Sequence, residues 1–80
     1  MNLMAVNIII FGQLTDITGE QNLVVSDVND TDQLITKLNK MFPAIAGAKF
    51  VIAVNKQVIS ENTILNNNST IALLPPFSGG

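Results

Sequence analysis

Apolar residues recur along this chain with two different spacings. Over residues 4–11 nearly every position is apolar and β-branched side chains dominate. Val6, Ile8 and Ile10 fall on one face of an extended strand, and Asn7, Ile9 and Phe11 on the other. A run of this kind suits a central strand buried on at least one face, and Gly12 ends it. Residues 20–27 read as a second strand, with Leu23 and Val25 alternating with Asn22, Val24 and Ser26. Between the two, Leu14 and Ile17 sit three apart, the spacing of a short helical turn, which Gly19 can close in the left-handed conformation. The two strands are expected to form a hairpin with that turn inserted.

The period changes over residues 30–42. Leu34, Ile35, Leu38, Met41 and Phe42 fall at helical spacing and define one apolar face, while Lys37 and Lys40 lie on the other side. Asp30 is placed to cap the helix, and Gln33, three residues on, completes a capping-box-like start. Asp32 adds negative charge to the first turn, where the helix dipole favours it. Pro43 stops the helix. Such a stripe is core packing, not a ligand box.

Residues 50–55 form a third strand, residues 57–59 a short fourth and residues 70–74 the last. Asn55-Lys56 and Asn66-Asn67-Asn68 read as turns, because Asn tolerates positive φ. Pro75-Pro76 ends the last strand, since neither proline can donate to a sheet ladder. The order is strand, strand, helix, strand, short strand, strand. One helix can cover only one face of the sheet, which gives a two-layer α+β domain. With the first and last strands as parallel neighbours at the centre, the fold is a ubiquitin-like β-grasp: a mixed sheet of four to five strands with one main helix on one face. No repeat or linker is visible, so residues 1–74 are expected to form the domain and residues 75–80 an extended tail.

Composition removes most chemistries. The 80 residues include no His, Cys, Trp, Tyr or Arg. Neither a Ser-His-Asp nor a Cys-His constellation can be built, there is no thiolate for a metal, and no bound cofactor is expected. With a net charge of −2 and four lysines (Lys37, Lys40, Lys49 and Lys56), nucleic acid is not an expected partner. Apolar runs are shorter than the roughly 20 residues a membrane span requires, and the start of the sequence lacks the features of a signal peptide. The expectation is a cytoplasmic protein without membrane contact. Charged residues make up 12% of the chain, against roughly 25% in an average soluble protein. Either Asn, Gln, Ser and Thr supply the polar surface instead, or a partner covers part of it.

The remaining candidate chemistry is the end of the sequence, Leu74-Pro75-Pro76-Phe77-Ser78-Gly79-Gly80. A carboxylate is inert until activated, for example as an acyl-adenylate, and must then enter a partner's active site. Glycines without side chains can thread a narrow channel. The prolines favour an extended backbone and hold the tail off the sheet. Residues 75–80 reach about 20 Å when fully extended.

This segment resembles the terminal motif of the MoaD-type sulfur carriers, the small subunits of molybdopterin synthase. Ile10-Phe11-Gly12-Gln13-Leu14 resembles the family's first strand and the start of the short helix after it, and Ala53-Val54-Asn55 the end of its third strand. Thr15-Asp16 stands where many members carry Arg-Glu. The resemblance implies that an E1-like adenylyltransferase, using ATP, activates the Gly80 carboxylate, which becomes a thiocarboxylate. The tail then enters the large subunit of molybdopterin synthase, in a heterotetramer, and gives its sulfur to cyclic pyranopterin monophosphate in molybdenum cofactor biosynthesis. Gly80 would carry the sulfur, Gly79 would give clearance, and Ser78, Phe77, Pro76 and Pro75 would dock on partners. The catalytic groups would belong to those partners. Phe11, Ile9 and part of residues 50–54, on the sheet face without a helix, are expected to meet the large subunit or the activating enzyme. A sulfur carrier for thiazole synthesis, a ubiquitin-like protein modifier and an interaction domain with an inert tail remain as alternatives.

Overall fold

A computed structural model describes residues 5–76. Five strands form one sheet: β1 (Ala5–Ile10), β2 (Asn22–Ser26), β3 (Val51–Val54), β4 (Gln57–Ile59) and β5 (Thr70–Leu74), in the order β2-β1-β5-β3-β4. β1 runs parallel to β5, and every other neighbouring pair is antiparallel. The expected parallel pairing of first and last strands is therefore present, at the middle of a mixed sheet, and the fold is the ubiquitin-like β-grasp.

Helix α1 (Leu14–Thr18) fills the β1–β2 connection. Gly19 closes it at φ 73°, donating its N–H to the Thr15 carbonyl. The main helix α2 (Thr31–Met41) begins at Asp30, whose carboxylate accepts from the Gln33 N–H at 2.8 Å. The Gln33 side chain accepts in return from the N–H of Asn29, one residue before the cap. A second cap comes from outside the helix. The Asn62 side-chain oxygen accepts from the Asp32 N–H and from the Thr31 hydroxyl, so one orphan backbone donor of the first turn is satisfied from a distant loop.

The core lies between α2 and one face of the sheet. Val6, Ile8 and Ile10 of β1 meet Ile71 and Leu73 of β5 and Leu34 and Leu38 of α2, all buried. Burying one such side chain is worth about 1.5–3 kcal/mol, so these few positions carry much of a small domain's stability.

Two parts of the sequence reading are corrected. Met41 was placed on the apolar face but is 45% exposed. It is the last residue of α2. Phe42 leaves the helix, Pro43 opens a 3₁₀ turn (Pro43–Gly47), and Ile45 from that turn supplies the buried side chain instead. β4 and β5 have the expected bounds, whereas β1 stops one residue early at Ile10 and β2 and β3 are shorter at both ends than expected. Asp27 adopts φ 65° just after β2, and the Thr18 hydroxyl pairs with the backbone of Glu20 before it.

Over residues 60–69 the sequence predicts only the Asn turn. The structure ties them to the entrance of α2: Thr31 donates to the Thr63 carbonyl and Leu65 to the Asn29 carbonyl, each at 2.9 Å. That clasp buries Leu65.

Candidate functional site

β5 delivers the tail. Its ladder with β1 continues one step past the strand, where the Phe11 N–H donates to the Leu73 carbonyl at 3.0 Å. On the other side Leu74 lies opposite Val51 of β3. The chain therefore leaves the sheet at its centre, held on both flanks. Pro75 and Pro76 follow, exposed and outside any strand. Phe77, Ser78, Gly79 and Gly80 lie outside the described residues.

Next to the exit, Gly12 turns β1 into α1 at φ 63°. Pro75 packs against it closely enough that a β-carbon at Gly12 would stand 2.6 Å from the proline Cγ. In the sequence Gly12 and Pro75 each mark a strand end, and only the fold brings the two together.

The sheet face opposite α2 is the second part of the site. Its residues follow from the register, since alternate positions share a face. One row runs Val24, Asn7, Thr70. The next runs Asn22, Ile9, Ala72, Ala53, Val58 across all five strands. Beyond it, toward the exit, lie Leu74 and Val51, with Phe11 following Ile9 two positions on. None of these strand positions is charged. Asn7 and Thr70 make the end where β5 begins the more polar one, with the exposed Val24 at its β2 edge and Asn22 at the same edge of the next row. The end where the tail leaves is apolar, with Phe11 and Val58 exposed and Ile9, Val51, Ala72 and Leu74 half-buried.

Phe11 and Ile9 thus sit where the sequence placed them. Ala72, Leu74 and Val58 complete the surface. They were not singled out in sequence because only the pairing register shows that they share a row with Ile9 or Phe11.

A cleft of about 580 Å³ lies on the helix side, between α2 and the β3–β4 end of the sheet. Asp32, Lys49 and Glu61 are its ionisable residues, and Val51 is the lining residue it shares with the tail exit. Among the described residues no helix is long and apolar enough to cross a membrane. What the arrangement can do is lead the chain out of the sheet through Pro75 and Pro76 beside an uncharged apolar surface.

Comparison with known proteins points the same way. The ThiS family profile matches residues 8–80. A molybdopterin synthase sulfur carrier subunit from Dictyostelium discoideum is 31% identical, over 91% of this chain and 93% of its own. Among solved structures, the complex of subunits 1 and 2 of the molybdopterin-converting factor from Helicobacter pylori includes a chain 31% identical. It superposes with a TM-score of 0.71, over 96% of this chain and 100% of that one. The small archaeal modifier protein 1 of Methanosarcina acetivorans superposes with a TM-score of 0.81 over the full length of both chains. At 21% identity that likeness concerns the fold.

Proposed function

This chain belongs to the ThiS family, and on that premise we propose that it is the sulfur-carrier subunit of a molybdopterin synthase. The observation that carries the reading is the apolar, uncharged end of the helix-free sheet face lying beside the exit of a tail that ends in Gly79-Gly80. A carrier needs a surface for its partner to grip and a reactive end to insert, in a fixed relation to each other.

The domain's own contribution is binding and delivery. An E1-like adenylyltransferase binds the apolar end of the face and joins the Gly80 carboxylate to AMP from ATP, releasing pyrophosphate. A sulfur nucleophile then displaces AMP, and the end becomes a thiocarboxylate. The same face next meets the large subunit, and the tail carries sulfur to cyclic pyranopterin monophosphate. Two deliveries build the dithiolene. Phe77 and Ser78 dock the tail, and Gly79 clears the channel. The Dictyostelium relative bears the carrier's name, and the Helicobacter pylori structure joins a similar chain to a second subunit.

The test is the intact mass of the protein after incubation with an E1-like enzyme, ATP and a sulfur donor. The expected gain is that of one oxygen replaced by sulfur, localised to Gly80. An unchanged mass with a demonstrably active enzyme would sink the reading. Isopeptide adducts formed through Gly80 would replace it with protein modification, which begins with the same activation.

A further inference from the structure

We propose that Gly12 is a positioning residue for the tail: its bare α-carbon seats the Pro75 ring and thereby fixes the direction in which the chain leaves the sheet. The inference rests on the carrier reading and deepens it.

The strands that bring these residues together are locked until just before they meet. Phe11 donates to the Leu73 carbonyl at 3.0 Å, the last backbone bond between the two segments. Gly12 is then held by α1. Its carbonyl accepts from the Thr15 N–H at 3.1 Å and the Thr15 hydroxyl at 2.8 Å. Leu14, two residues on, is anchored in the core. Gly12 is therefore a fixed wall.

Pro75 lies against that wall. A β-carbon at Gly12 would stand 2.6 Å from the Pro75 Cγ, 3.5 Å from Cδ and 3.8 Å from Cβ. A flexible side chain could swing away from such a clash. The proline ring has less freedom: a change of pucker displaces Cγ alone, and any further relief must carry the ring along with the backbone nitrogen onto which it closes. Moving the ring moves the backbone at the root of the tail.

Gly19 provides the internal contrast. It is also left-handed, at φ 73°, yet nothing lies within 4 Å of where its β-carbon would be. Gly19 is required for its backbone conformation alone. Gly12 is required for its conformation and for the space that Pro75 occupies.

The direction set here governs where Gly80 can reach while the apolar face is gripped. Five further residues span at most about 18 Å, so a tilt at Pro75 is enlarged at the end. Ångström-scale misplacement in a rigid site can cost about a hundred-fold in rate. Gly79 and Gly80 can correct part of it, so a loss of about ten-fold is expected.

The experiment uses the full chain as wild type, Gly12→Ala, Pro75→Ala, the Gly12→Ala/Pro75→Ala double variant and Gly19→Ala. Gly12→Asn stands in should Gly12→Ala fail to fold, because Asn tolerates the left-handed region and still brings a β-carbon. Three quantities are measured: the thermal midpoint, the backbone NMR resonances of residues 73–77, and kcat/KM for adenylation by the E1-like enzyme. Gly12→Ala is expected to shift those resonances and lower kcat/KM about ten-fold. Removing the ring leaves its nearest surviving atom, Cβ, at 3.8 Å. The double variant should therefore return to the resonances and kcat/KM of Pro75→Ala, although the backbone strain at residue 12 remains. Gly19→Ala should lower the midpoint without changing kcat/KM.

Equal impairment of Gly12→Ala and the double variant would overturn the proposal, because strain would then be the whole effect. Unchanged resonances in Gly12→Ala would overturn it as well. A wild-type protein that no active E1-like enzyme adenylates would instead remove the carrier reading. The resonances and their recovery in the double variant would then decide by themselves whether Pro75 is seated on Gly12.

Discussion

Asn55 and Thr70 exchange two hydrogen bonds: the Asn55 N–H donates to the Thr70 carbonyl at 2.7 Å, and the Thr70 N–H donates to the Asn55 side-chain oxygen at 2.9 Å. The pair closes the β3–β5 ladder at the end where β5 begins. It sets the register that, four residues later, places Leu74 opposite Val51 at the tail exit. Asn55 does this while turning the chain toward β4 at φ 49°, with Lys56 at φ 73°. One residue type suits both tasks, because Asn tolerates the left-handed region and carries an acceptor.

Substituting Asn55 separates those tasks. Asn55→Gly keeps the turn and loses one side-chain acceptor, and should cost about 0.5–1.5 kcal/mol. Asn55→Ala also places a strained residue in the left-handed region and should cost roughly 1 kcal/mol more. Urea unfolding of the two variants measures the difference. Equal losses would mean that the turn conformation contributes nothing.

The apolar end of the helix-free face should be the partner's grip. Val58 is 63% exposed on the row that includes Ile9 and Ala72. Val58→Asp should change stability by no more than about 0.5 kcal/mol, as exposed substitutions usually do. It should weaken binding to a molybdopterin synthase large subunit at least about ten-fold, or 1.4 kcal/mol. Val24→Asp, on the polar row beside Asn7 and Thr70, is expected to bind nearly as wild type. Calorimetric titration of both variants checks this, and the opposite ranking would move the interface to the other end of the face.

Removing Gly79 and Gly80 should abolish the sulfur mass gain. The thermal midpoint should stay near that of the full chain, since the β5 ladder ends at Leu74, several residues before Gly79. Retained activity in cells that depend on this protein would show the tail to be inert.

Leu38, on the core-facing side of α2, is fully buried. Leu38→Ala should cost about 2–5 kcal/mol. Domains are commonly stable by only 5–15 kcal/mol, with small ones at the low end. The isolated variant should therefore be largely unfolded at physiological temperature. Saturating large subunit should restore it in part, by about 2.7 kcal/mol at a hundred times the Kd. Circular dichroism with and without the large subunit reads both effects.

Much of the architecture was legible because local chemistry and burial agree. Asp30, Gln33 and Pro43 mark the ends of α2 by their own hydrogen-bonding capacities. Gly19 closes α1, and Asn55-Lys56 forms its turn, through backbone conformations that these residues adopt at little cost. Met41 was misread because helical spacing says which way a side chain points and not where the core ends. The clasp of residues 63–65 on the entrance to α2 is made by backbone groups that every residue carries, so no residue type announced it.

The sequence alone determined the alternation of strand and helix, the absence of His, Cys, Trp, Tyr and Arg, and a tail built from two prolines and two glycines. These follow from what each residue type can do with its neighbours along the chain. The tertiary structure decided the rest. Pairing register put Ile9, Ala72 and Val58 on one row, and the parallel meeting of β1 with β5 brought Gly12 under Pro75. Contacts between residues far apart in sequence depend on how strands align in space, and no local preference encodes that alignment.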